Sequence, residues 1–243
     1  MKKVTLKIEK NIRIARRTFE MVLSGDVSDV KMPGQFINIK IDGFYLRRPM
    51  SISECENEKL TIIYKLRGAG TEKMTELSAG AKLDVLCAAG NGFDVRKAKG
   101  RVAVIGGGSG AAPMYGVAKA LIAENGIVPA ALLGFGSEDE VILRDRFEAL
   151  GCNTAIATSD GSAGIKGNVT DMIEPKEFDY AFGCGPEAML KTVSQFTDDG
   201  QYSFEARMAC GYGVCFGCSR QMKSGVVRIC KDGPVFEKEE IIW

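Results

Sequence analysis

Four cysteines near the end of the chain offer the most legible chemistry. Cys210, Cys215 and Cys218 fall in a C-x4-C-x2-C run, and eleven residues separate Cys218 from Cys230. Four thiolates with this spacing are the plant-type ligand set of a [2Fe–2S] cluster. Gly211, Gly213 and Gly217 lie between the ligands, where a positive φ lets a loop wrap closely round an inorganic core. Zinc is the alternative for four thiolates, although structural zinc sites usually combine two short knuckles, and only one C-x2-C pair is present. Disulfides would need an oxidising compartment. Four inert buried cysteines would not normally crowd one glycine-rich loop.

Two segments earlier in the chain could hold a phosphorylated cofactor. Leu46–Ser53 puts Arg48, Pro49, Met50 and Ser51 at a strand edge. Arginine presents a planar fork of donors that suits a pyrophosphate, and a serine hydroxyl can bond the polar edge of a ring. Ile63-Tyr64-Lys65 runs through a Gly-x-Gly turn, Gly68–Gly70, to Thr71 at a helix start, which is an anion-binding context. Taken singly, the first also reads as a solvated edge with a turn proline and the second as an ordinary helix entry.

A third glycine-rich stretch, Gly106-Gly107-Gly108-Ser109-Gly110, follows the apolar run Arg101–Ile105 and precedes a helical pattern over Ala111–Glu124. Strand, glycine loop, helix is the setting in which such a loop binds dinucleotide phosphates. A tight turn without ligand is the plainer reading. Cys184-Gly185-Pro186 closes another apolar strand, Tyr180–Phe182; alone, Cys184 also reads as a small buried residue. Ser137, Glu138, Asp139 and Glu140 follow Gly134-Phe135-Gly136, and an acidic set there disfavours a 2′-phosphate and leans to NAD.

These residues must be positioned by ordinary globular elements. The chain has 243 residues, enough for one large or two modest domains. A net charge of +1 gives no electrostatic case for nucleic acid or a membrane surface. No apolar run is long enough to span a bilayer, and no h-region follows Met1-Lys2-Lys3, so a cytoplasmic protein is expected. Histidine is absent, which removes Rieske clusters, mixed Cys/His zinc sites and His-based triads. Short alternating runs at Val4–Ile8, Thr18–Leu23, Gln35–Ile41, Leu60–Leu66 and Leu83–Cys87 predict an antiparallel β-barrel, with one helix from Thr71 to Gly80. Beyond a charged hinge at 94–99, strands and helices alternate, predicting a parallel sheet with helices on both faces. The expected units are 1–98, 99–206 and 207–243.

In order, these segments resemble the ferredoxin–NADP reductase superfamily, whose FAD-binding barrel carries Arg-x-Tyr-Ser and then a Gly-Thr pair; Met50 stands here for the tyrosine. More closely, the chain resembles the electron-transfer subunits of class B dihydroorotate dehydrogenase. The resemblance rests on Arg48-Pro49-Met50-Ser51, Gly106–Gly110, Cys184-Gly185-Pro186, Met208-Ala209-Cys210-Gly211 and Cys230-Lys231-Asp232-Gly233-Pro234-Val235-Phe236. It implies that Arg48 binds the FAD diphosphate and that Ser51 sits near flavin N5. Pro49, Met50, Ile63, Tyr64 and Lys65 would line the flavin, with Gly70 and Thr71 at phosphate. Gly107, Gly108 and Gly110 would hold the NAD phosphates, with Cys184, Gly185 and Pro186 beside the nicotinamide. It further implies an FMN-containing catalytic partner that oxidises dihydroorotate, a heterotetramer with two copies of each subunit, and electrons crossing [2Fe–2S] and FAD to NAD⁺. A related NAD(P)H-dependent ferredoxin- or sulfide-linked reductase and a zinc-stabilised nucleotide-sensing module are the competing readings.

Overall fold

A computed structural model describes residues 1–243. Six strands form the first unit: β1 (Lys2–Ala15), β2 (Thr18–Ser24), β3 (Phe36–Ile39), β4 (Arg48–Glu56), β5 (Lys59–Lys65) and, after helix α1 (Ala69–Thr75), β6 (Lys82–Ala89). They close into an antiparallel barrel in the order β1-β2-β5-β4-β3-β6. Alternation builds it: Leu6, Ile8, Met21, Leu23, Ile37 and Ile39 are fully buried and fill its interior. Five of the six strands match apolar runs in the sequence. The sixth, β4, opens on Arg48-Pro49 and alternates poorly. Its proline is tolerated at the strand start, where the missing N–H costs least.

The second unit is a doubly wound sheet. Its elements are β7 (Val102–Gly107), α2 (Ala111–Ala120), β8 (Ala130–Phe135), α3 (Arg144–Ala149), β9 (Thr154–Thr158), β10 (Ile165–Lys166), β11 (Tyr180–Cys184), α4 (Glu187–Phe196) and β12 (Asp199–Ser203). Val102 and Val104 pack under α2 and α3, while Ala103 and Ile105 pack with Leu190 and Val193 of α4. Helix α2 runs on through one π turn, Leu121–Asn125, and Gly126 ends it at φ 66°. The sequence predicts a helix over Val141–Leu150; α3 starts later because Leu143 takes φ 65° and breaks the first turn.

The last stretch contributes a hairpin, β13 (Ser219–Met222) with β14 (Gly225–Arg228), and then β15 (Val235–Glu237). Strand β15 pairs antiparallel with β12 and becomes the edge of the nucleotide sheet, whose order is β10-β9-β8-β7-β11-β12-β15. The Asn91 side chain, just beyond the barrel, donates to the Val235 carbonyl at 2.7 Å and accepts from the Val235 N–H at 3.1 Å. The end of the chain is thereby tied to both preceding units.

Barrel and sheet meet where α2 lies across β4. Ser53 Oγ donates to the Ala112 carbonyl at 3.0 Å. A Cβ on Gly116 would fall 2.6 Å from the Ser53 carbonyl oxygen, so only glycine allows this approach. Gly116→Ala raises helix propensity by about 1 kcal/mol, yet we expect a net loss of about 1–3 kcal/mol from overpacking against backbone. Denaturant melts check this; a variant as stable as the wild type would show that the contact yields.

Candidate functional site

Two clefts open where barrel, sheet and C-terminal stretch converge. The first, of about 330 Å³, is walled by Arg48, Pro49, Met50 and Ser51 of β4, by Ile63, Tyr64 and Lys65 of β5, and by Thr71, Gly110 and Cys184. The second, of about 470 Å³, is walled by Gly107, Gly108, Gly134, Gly136, Pro186 and Met189 among others. Lys65, Arg67, Ser109 and Glu205 border both, so the clefts are continuous. The carboxyl ends of β7 and β11 face them, as expected for a doubly wound sheet.

Local backbone explains how these residues come together. Strand β5 sends Ile63 outward toward α2 and Tyr64 into the barrel. Tyr64 does border the first cleft, but it is 2% exposed and its hydroxyl donates to Asn11 Oδ1 at 2.9 Å. Burial, against that hydrogen bond, pushes it up to about 12. Arg48 lies across Gly70, where a Cβ would come within 2.2 Å of Arg48 Nε, and its guanidinium sits 4.6 Å from the centre of the Phe44 ring. Thr71 Oγ1 accepts from the N–H groups of Arg67 and Gly68 at 2.9 and 3.2 Å and fixes the turn below. Gly185 backs onto Gly107, and a Cβ on Gly110 would fall 2.1 Å from the Cys184 carbonyl oxygen. The glycine loop and the Cys-Gly-Pro loop therefore touch backbone to backbone, which leaves room for a ligand above them.

Charges at the clefts are largely fixed. Lys65 pairs with Glu140 at 2.9 Å, and Glu140 with Arg16 at 2.7 Å. Asp139 also reaches Arg16, at 3.3 Å. Two of the acidic residues set against a 2′-phosphate thus bind barrel cations, and Glu138 stays exposed. Burial, with the Glu205 carboxylate adding, pushes the Cys184 thiol up to about 12 against a hydrogen bond with Ser203. Cys184 is therefore a neutral thiol. Glu205, which sequence reading missed, carries no motif; only its place five residues before Cys210 hints at it.

The cysteine loop lies alongside. Gly211 and Gly213 take φ 72° and 88°, but Gly217 does not have a positive φ; Phe216 does, at 58°. The tight bend after Cys215 thus falls one residue earlier than the glycine pattern suggests. All four thiols are free, and backbone amides point at two of them: the Gly217 N–H donates to Cys215 Sγ and the Cys230 N–H to Cys218 Sγ, each at 3.4 Å. Against the penalty of burial, the N–H groups of Tyr212, Cys215 and Val214 draw Cys210 down to about 6. Burial, then the neighbouring Cys218, pushes Cys230 up to about 12. No three Cys, Asp or Glu side chains converge as the ligands of one ion. Four free thiols in one terminal stretch, with backbone amides aimed at two of the sulfurs, fit an iron–sulfur core.

The barrel, the NAD-type sheet and a terminal cysteine loop define an oxidoreductase of the ferredoxin-reductase-like class. Two family models match: the iron–sulfur cluster binding domain of dihydroorotate dehydrogenase B over residues 205–242 and the oxidoreductase NAD-binding domain over residues 104–195. A protein of Fusobacterium nucleatum named dihydroorotate dehydrogenase B (NAD(+)), electron transfer subunit, is 41% identical, covering 96% of each chain. One of the same name from Bacillus pumilus is 40% identical, covering 99% of this chain and 98% of that one. Among solved structures, an NADH-dependent reduced ferredoxin–NADP oxidoreductase superposes with a TM-score of 0.87 at 29% identity, over 98% of this chain and 90% of that one. The chain belongs to the family of dihydroorotate dehydrogenase B electron-transfer subunits.

The tie between Lys65 and Glu140 has a pH signature. The hydrogen bond from Lys65, opposed by burial and reinforced by Arg16, holds the Glu140 carboxyl below its ordinary value. Its contribution, about 0.5–1 kcal/mol for a pair that is partly screened, is complete above about pH 4.3 and is lost as pH falls through the lowered folded value. Thermal melts should therefore fall more steeply with acid for the wild type than for Glu140→Gln. Parallel curves would mean the pair is idle.

Proposed function

We propose that this chain carries electrons from a catalytic partner, which oxidises dihydroorotate using FMN, to NAD⁺. In this reading residues 1–98 hold FAD, 99–206 hold NAD, and 207–243 hold a [2Fe–2S] cluster while lending β15 to the nucleotide sheet. The observation that carries it is continuity: Glu205 borders both clefts and leads within five residues into the cysteine loop. Tyr212, Val214 and Phe216 on that loop are 48%, 69% and 58% exposed. Such apolar exposure suits a face that a partner covers. The assembly in this reading is a heterotetramer of two copies of each subunit, and a cytoplasmic setting, where thiols stay reduced, suits a loop of four cysteines.

Bound FAD supplies the chemistry the side chains lack, since it exchanges electrons with NAD in pairs and with iron–sulfur centres singly. The chain's own residues orient and shield. Arg48, given room by Gly70, takes the FAD diphosphate, with Thr71 holding the turn beside it. Pro49, Met50, Ile63, Tyr64 and Lys65 bound the ring's pocket, and Ser51 presents its hydroxyl to the ring edge. Gly107, Gly108 and Gly110 take the NAD phosphates. Cys184, neutral and buried, makes with Gly185 and Pro186 a dry floor for the nicotinamide. Cys210, Cys215, Cys218 and Cys230 hold the cluster. No residue here needs to act as a general base, because the proton chemistry on dihydroorotate lies with the partner.

A second reading, an NADH-linked ferredoxin reductase, is favoured by the superposition at TM-score 0.87. Anaerobically purified protein should show flavin and cluster absorbance, and adding the partner should create dihydroorotate-dependent reduction of NAD⁺. Activity with ferredoxin but none with dihydroorotate would favour the second reading, and a colourless zinc protein would overturn both. Cys218→Ser should lose the cluster and all partner-dependent transfer yet keep FAD and NADH–dye activity; full transfer in that variant would take the cluster off the route. Gly70→Ala should displace Arg48 and weaken FAD retention about tenfold, or about 1.4 kcal/mol, read by flavin fluorescence on dilution. Unchanged retention would remove Arg48 from the diphosphate site.

A further inference from the structure

Strand β3 has two faces with different duties. Ile37 and Ile39 point into the barrel. Phe36 points the other way and packs with Cys218, Ile229, Cys230 and Phe236. Asn38 shares that outer face and is 1% exposed. Its Nδ2 donates to the Gly211 carbonyl at 3.2 Å. Gly211 follows the first cysteine of the loop, and a Cβ there would fall 2.6 Å from Asn38 Nδ2, so the two groups are in close contact. A buried amide is costly to leave unpaired, and this bond is the partner the fold provides.

The other side of Asn38 faces the cleft strand. It stands opposite Pro49 in the β3–β4 register, and Arg47 Nη1 donates to the Asn38 carbonyl at 3.4 Å. One residue thus joins the strand pair that carries Arg48–Ser51 to the turn between Cys210 and Cys215. The ties from Asn91 act on Val235, beyond the last cysteine, and Arg228 holds the Gly213 carbonyl from within the terminal stretch itself, so Asn38 anchors this turn to the barrel.

We propose that Asn38 is a positioning residue that docks the cysteine loop on the flavin-side strand and so sets the separation of the two redox sites. Electron transfer falls steeply with separation, so a loop that drifts from β3 slows the exchange between sites without touching hydride exchange with NAD. The proposal rests on the relay reading above, and its test separates the two.

The test uses holoprotein with FAD and cluster, as wild type, Asn38→Ala and Asn38→Leu; the last keeps the size but has no donor. NADH is the reductant: it passes two electrons as hydride to FAD and leaves as NAD⁺, one electron then converts one ferric iron of the cluster to ferrous, and the other stays on the flavin. In anaerobic stopped flow the flavin should bleach at the wild-type rate in both variants. Cluster reduction, read by freeze-quench EPR, should slow about tenfold, the cost of a constellation left loose by about 1 Å. Independently of activity, hydrogen exchange at the amides of 210–215 should rise about tenfold, the scale of one lost hydrogen bond, while β2 stays protected. Asn38→Ser, too short to reach Gly211, replaces Asn38→Ala if that variant does not fold. Wild-type exchange and wild-type cluster reduction in all variants would overturn the proposal. A wild type in which NADH reduces no iron centre would overturn the relay instead, and the exchange data alone would then decide whether Asn38 docks the loop.

Discussion

Like charges gathered in one loop need a cation among them. Backbone amides draw Cys210 down against the penalty of burial, while burial and then Cys218 push Cys230 up. The loop must therefore be shaped by its surroundings before it is filled. Arg228 does part of this, bonding the Gly213 carbonyl at 2.9 Å while pairing with Asp232 at 3.0 Å. The Cys230 N–H lies 3.4 Å from Cys218 Sγ. Arg220 spans to Glu187 at the start of α4 at 2.7 Å and stacks 4.0 Å from the centre of the Phe204 ring. Phe204 borders the first cleft, so the hairpin after the cysteine loop braces a wall of that cleft.

The barrel–sheet interface has a different character. Around the close contact of Gly116 with Ser53 it is ionic: Lys119 reaches Glu56 at 2.5 Å, Lys65 reaches Glu140, and Arg146 of α3 reaches Glu20 at 2.5 Å. Most such pairs are partly solvated and individually weak. Glu20 is the exception, with a side chain 3% exposed. Burial raises its carboxyl, but Lys10 and Arg146 together outweigh that and hold it ionised. A buried carboxylate stripped of one cation is strongly destabilising, so Glu20 locks β2 to α3 even though replacing the whole group by apolar packing would cost little.

Much of this was written in local patterns. Alternation gave the barrel strands whose inner residues are Leu6, Ile8, Met21 and Leu23, because burial on one face of a strand imposes a period of two. Continuous apolar runs gave β7 and β11, because sheets covered on both sides need apolar residues at every position. The cysteine spacing, the glycine loop and the Cys-Gly-Pro turn were legible because each demands rare residue types at fixed offsets. What escaped was set by distant partners. Strand β4 pairs through backbone whatever its side chains, β15 crosses from the terminal stretch into the nucleotide sheet, and Phe216 rather than Gly217 takes the positive φ. Asn91, Asn38 and Glu205 gain their importance only from what the fold brings beside them.

The absence of histidine is consistent with how the clefts are lined. Lys65 and Arg48 bring positive charge, Cys184 is held neutral by burial, and Ser51 offers only a hydroxyl. Glu205 is the one carboxylate bordering both clefts. Clefts lined in this way suit the orienting of carriers that bring their own chemistry. Their demands are geometric: enclosing walls and closely fixed backbone. Glycines meet such demands where a Cβ would collide with a neighbour: with backbone at Gly110 and Gly116, and with the Arg48 and Asn38 side chains at Gly70 and Gly211. At Gly110 and Gly116 the separation of two elements is set by backbone meeting backbone, and a side chain of any size would change it.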